Sequence, residues 1–110
     1  DYVADIKKIL SKNKKLDAVV FSTNYLGVAG LEAIGSLDLK IPQDIAIVSF
    51  DDHILFRIHK PSISVIAQPI EEIAQTVIDT LLAKLKNPTA KNKASKTITL
   101  STSLIVRESS

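Results

Sequence analysis

Residues 45–53 read IAIVSFDDH: an apolar run from Ile45 to Phe50, broken only by Ser49, that passes directly into two carboxylates, Asp51 and Asp52. A short, continuous, β-branched run fits a strand buried in a parallel sheet. The KIPQD immediately before it (40–44) reads as a turn, with proline fixing one dihedral and Asp44 bonding its own backbone. Upstream, Leu26, Ala29, Gly30, Ala33, Ile34 and Leu37 recur at helical spacing and make one apolar stripe. Thr23 or Asn24 caps the start of that helix. Gly30 on the stripe costs about 1 kcal/mol against alanine, which implies close approach to a neighbouring element. Before it lies a second short apolar run, Ala18–Phe21, read as a strand covered on both faces. Residues 17–50 are therefore strand, helix, strand, the unit of a right-handed parallel crossover. The expected fold class is α/β, with parallel strands and covering helices.

The rest of the chain extends this unit at both ends. Tyr2, Ile6, Ile9 and Leu10 mark an amphipathic helix over 2–12. DDHILFRIHKP (51–61) reads as a loop of unusual apolar content. SISVIAQP (62–69) reads as a short extended segment ending where Pro69 enters the first turn of a helix. That helix, over 70–87, carries Ile70, Ile73, Ala74, Val77, Ile78, Leu81, Leu82 and Leu85 on one stripe, and Pro88 stops it. A lysine-rich polar loop at 89–96 follows. The segment 97–107 alternates, pauses at Ser101–Ser103 and resumes, as an extended tail with two strand pieces.

With 110 residues, 45% apolar and 24% charged, the chain suits one globular domain. No apolar run approaches the ~20 residues that span a bilayer, and no secretory signal is visible. The absence of cysteine excludes disulfides and thiolate metal sites. Methionine is absent too, and the chain reads as a fragment of a longer protein. Net charge is +2, with lysines clumped at 7, 8, 12, 14 and 15 and again at 84, 86, 91, 93 and 96. A nucleic-acid groove needs clustered cations, but these groups lack interleaved aromatics. Their placement at helix ends and loops favours a solvated surface that complements helix dipoles.

Open parallel sheets bind ligands beyond the carboxyl ends of their strands. Here those ends carry Ser22-Thr23-Asn24 and Asp51-Asp52, so the carboxylates follow the strand because the chain surfaces at a site edge. Adjacent carboxylates on one loop lack the opposed environments that acid–base catalysis needs. Asp51, His53 and His59 match no common zinc spacing. No nucleophile elbow, Walker loop or dinucleotide fingerprint is present. An enzyme is not expected, nor a metal or cofactor. Binding is better supported: asparagine both donates and accepts, and an aspartate accepts from vicinal hydroxyls or the donor edge of a purine. Helix capping by Asn24 and an Asx turn at Asp52 remain the structural alternatives.

At the level of whole motifs, DAVVFSTNYLGVAGLEAIGSLDLKIPQDIAIVSFDD (17–52) resembles the C-terminal part of lactose-repressor (LacI/GalR) family regulators. PSISVIAQP is similar to that family's PxLTTVxQP, and LIVRESS to its terminal LVVRxST. The resemblance runs from Asp17 to Ser110, with the motifs in order. It implies a periplasmic-binding-protein-like effector domain of which residues 1–110 are a C-terminal fragment. Residues 17–60 would belong to the second lobe, 61–69 to an inter-lobe crossover, 70–87 to a helix and 97–107 to a terminal extended segment. A sugar or purine-like effector would meet Asn24 and Asp51, with Tyr25 and Phe50 beside them. Leu55, Phe56, Ile58 and His59 would fall at a homodimer interface. DNA would be bound through a helix-turn-helix segment absent here, in a cytoplasmic protein with no membrane partner. Departures are Tyr25 for the usual aspartate, Ser49 for glycine, and Ser64 and Val65 for a threonine pair. The alternative is a periplasmic sugar-binding component of a transporter, which shares the fold but more often reads FDG or VDG after this strand.

Overall fold

Four strands, β1 (Ala18–Phe21), β2 (Ala46–Phe50), β3 (Ser64–Ala67) and β4 (Ser103–Ile105), form one sheet in the order β1-β2-β3-β4. β1 and β2 are parallel with Phe21 opposite Ser49, and β2 and β3 are parallel with Phe50 opposite Ile66. The computed structural model describes residues 1–87 and 96–110. It has two compact units: residues 1–67 with 104–110, and residues 68–103.

In the first unit, helices α1 (Tyr2–Lys12) and α2 (Asn24–Ser36) match the periodic stretches of the sequence. The core gathers Leu10 of α1, Phe21 of β1, Ile34 of α2, Ile45 and Ile47 at β2, and Phe56, Ile63 and Val65. Two glycines of α2 set its distance from the sheet. A Cβ on Gly30 would strike the ring of Phe21, and one on Gly27 would meet Ser49 Oγ and lie 2.7 Å from Phe56 Cζ. Gly30 therefore does what its place on the stripe implied, while Gly27 went unmarked by the pattern.

Three expectations change. β1 is not covered on both faces: Val20 is 66% exposed. Among the described residues it is an edge strand paired with β2 alone, and its apolar run reflects β-propensity as much as burial. The stretch after β2 is not all loop, because Ile54–Ile58 forms a single helical turn, α3, capped by the His53 ring accepting from the Leu55 N–H at 3.2 Å. One turn is too short to show a helical period. That turn carries Phe56 inward to full burial against α2, so Phe56 cannot offer surface to a partner. The terminal segment holds one strand piece, at Ser103–Ile105, where two were expected.

The last residues close the first unit. Ser109 Oγ accepts from the Ser64 N–H (2.8 Å) and donates to the Ile47 carbonyl (2.6 Å), and its own carbonyl accepts from the Ile47 N–H (2.8 Å). One fully buried serine thus satisfies backbone groups of β2 and β3 together.

In the second unit, α4 (Ile70–Lys86) begins after Pro69, its N-cap residue. Glu71 and Glu72 in the first turn and Lys84 and Lys86 in the last complement the helix dipole. None of its residues is buried, and Val77, Leu81 and Leu85 are more than half exposed. The lysine-rich loop expected at 89–96 lies, apart from Lys96, outside the described residues, as does Pro88.

Candidate functional site

The parallel register brings the carboxyl ends of β1 and β2 side by side, so Ser22-Thr23-Asn24 and Asp51-Asp52 emerge at one edge of the sheet. Two local choices set the places of these residues. At the start of α2 the cap is Thr23, whose Oγ1 accepts from the Leu26 N–H at 3.2 Å. Asn24 has no capping task and is half-buried at the first position of the helix.

Asp51 and Asp52 part company in the fold. Asp51 has φ 67°, the left-handed region that few residues other than glycine, asparagine and aspartate enter. Its N–H is held by the Ile66 carbonyl at 2.9 Å, and its own carbonyl accepts from the His53 N–H at 3.0 Å. The ladder to β3 thus persists one residue past β2, and the chain then turns sharply. Such a backbone costs on the order of 1–3 kcal/mol and persists where the surroundings impose it, most often at binding or catalytic sites.

Asp52 is occupied by structure. Its Oδ1 accepts from Arg107 Nη2 at 2.8 Å, and Arg107 Nη1 donates to the Ile63 carbonyl at 2.9 Å. Arg57 approaches the same oxygen only to 3.8 Å and is mostly exposed, so it adds little. An ion pair therefore stands where an Asx turn was the alternative. The paired carboxylates part in place: Asp52 is tied to Arg107, and Asp51 sits in the left-handed turn immediately beyond β2.

The candidate residues are not all brought together. A surface concavity of about 370 Å³ joins Asn24 and Tyr25 with Val28, Glu32, His53 and Leu55. Asp51 and Phe50 do not line it. Tyr25 is 80% exposed. The His53 Nδ1 accepts from Leu55, so the neutral ring carries its proton on Nε2 as a donor. His59 lies elsewhere, beside a different hollow near Leu31, Ile41 and Pro61, with its Nδ1 2.8 Å from the Pro61 carbonyl. Leu55 and Ile58 are exposed as expected. Among the described residues no three His, Asp or Glu side chains gather as a metal site, and no helix is long and apolar enough to cross a membrane.

The residues that reading the sequence missed are those that hold the site. Arg107 and Ser109 act across more than forty residues of chain, and only the motif LIVRESS pointed to them. Glu108 between them accepts from the Ser62 N–H (2.7 Å) and Oγ–H (3.0 Å). These bonds, with the nearby Lys60 ammonium, hold its carboxyl below the usual carboxylate range.

Comparison with known proteins places the fold. The model of the periplasmic binding protein-like domain matches residues 2–110. The ribose operon repressor of Haemophilus influenzae is 34% identical over 97% of this chain. A transcription regulator from Staphylococcus saprophyticus superposes with TM-score 0.80 at 34% identity, over 98% of this chain and 37% of its own. The CelR–cellobiose complex superposes with TM-score 0.84 at 26% identity, over 99% of this chain and 32% of its own. The chain spans 31% of the Haemophilus repressor, so its relatives are about three times as long. All three are regulators, which favours that reading over a transport component. The chain belongs to the periplasmic binding protein-like domain family and, within it, to the LacI-type regulators.

Proposed function

We propose that this chain forms part of the effector-binding and dimerisation domain of a cytoplasmic transcriptional regulator, with no enzymatic activity of its own. Its effector is a small polyhydroxylated or purine-like molecule. The observation that carries this reading is Asp51, held at φ 67° immediately beyond β2 while the adjacent Asp52 is tied to Arg107. An aspartate at the end of a central strand can accept from vicinal hydroxyls, and Asn24 at the start of α2 adds a second polar contact. Similarity to proteins named for ribose and bound to cellobiose supports a sugar as the first choice.

In the intact protein, DNA is bound by a segment outside these residues, and effector binding alters its affinity. SVIAQP (64–69) passes between lobes and serves as part of the hinge. Such coupling amounts to about 1–3 kcal/mol, or roughly 5–150-fold. The test is operator binding by the intact regulator, followed by fluorescence anisotropy, during titration with D-ribose, cellobiose, sucrose, hypoxanthine and guanine. At least one compound that binds should shift operator affinity fivefold or more. Indifference of operator affinity to every compound that binds would overturn the reading.

A further inference from the structure

Taking the effector reading as its basis, we infer that Arg107 is a positioning residue for Asp51, acting through Asp52. Three bonds from one residue lock the turn after β2 to the start of β3. Arg107 Nη2 donates to Asp52 Oδ1 at 2.8 Å, Nη1 to the Ile63 carbonyl at 2.9 Å, and the backbone N–H to Ser64 Oγ at 2.8 Å. The guanidinium side chain is 16% exposed and the Asp52 carboxylate 26%, so the pair is well shielded, and charge-assisted bonds of this length are strong. Between Asp52 and β2 stands Asp51, in a conformation that a free chain seldom holds. Its N–H bond to Ile66 fixes one side of the turn. The Asp52–Arg107–Ile63 bridge fixes the other. Loss of the bridge lets the turn sample other conformers, and ordering it again on binding costs affinity. Arg57 cannot substitute, since it reaches Asp52 only at 3.8 Å and is 54% exposed.

The test compares Asp52→Asn, Arg107→Lys, their double variant and Arg57→Gln in the intact regulator, without ligand, by amide hydrogen exchange. The Asp51 amide reports the turn. The Ala46 amide, bonded to the Asp17 carbonyl at the far end of β2, reports the sheet. Asp51 exchange should quicken about tenfold in either single variant and no further in the double variant. Ala46 should be unchanged in all four proteins, and Asp51 unchanged in Arg57→Gln. An unaltered Asp51 rate, or an equal acceleration at Ala46, overturns the inference.

A second arm uses whichever compound of the titration series binds the wild type. Its affinity should fall about tenfold in Asp52→Asn and in Arg107→Lys. Asp51→Asn in parallel separates the two ideas. If it keeps full affinity, the effector reading fails while the exchange result still decides the role of Arg107. If it loses affinity and Arg107→Lys does not, the inference is wrong.

Discussion

At Gly30, a missing Cβ sets how closely α2 lies on the sheet. An added methyl would meet the Phe21 ring, which is itself buried at 5% exposure and cannot swing away. Gly30→Ala should therefore destabilise by about 1–3 kcal/mol through overpacking. Gly35→Ala, on the same helix with nothing within 4 Å of the added atom, should be neutral or up to about 1 kcal/mol stabilising. Urea unfolding of the two variants measures both, and equal effects would refute the packing account. A second outcome at this scale concerns Glu108. Its carboxyl is held below its ordinary value by the two Ser62 bonds and Lys60. A depressed folded value means that its stabilisation is present above the unfolded value and is lost as pH falls through the folded one. Glu108→Gln should thus be less stable than wild type near neutrality, with the gap narrowing below about pH 4.5. Thermal melts across that range check the sign.

Among the elements, those with a period were legible and those fixed by distant partners were not. α1, α2 and α4 follow their apolar stripes within a residue, and β2 follows its apolar run. α3 escaped because one turn has no period, and Phe56 was consequently assigned to the surface. Position after β2 pointed to Asp51 and Asp52 together, and the family resemblance singled out Asp51. The reason it differs from Asp52 lies in Arg107, fifty-five residues away from Asp52, where local pattern carries no information. α4 carries this scale's prediction. Its apolar stripe stays exposed, and with Ile98 and Leu100 it lines a hollow of about 580 Å³ in the second unit. Each large side chain that becomes fully covered contributes about 1.5–3 kcal/mol. The 110-residue chain should therefore associate through this face, at least as a dimer, and Leu81→Glu should weaken the association. Light scattering that finds a monomer at micromolar concentration, with α4 helical by circular dichroism, would contradict this.

At the scale of the whole molecule, the first unit is a parallel sheet whose polar strand ends share one edge, closed from behind by its own last residues. The relatives are about three times as long. Asp51 is where the account is most exposed to test. Alanine at φ 67° would mix backbone strain with the lost hydrogen bonds, whereas asparagine tolerates that region and removes the charge. The deciding measurement is calorimetric titration of the intact wild type and Asp51→Asn with the compound that shifts operator affinity. A loss of about 1.5–3 kcal/mol, roughly tenfold to a hundredfold in Kd, is expected. Equal affinity in the two proteins would contradict it.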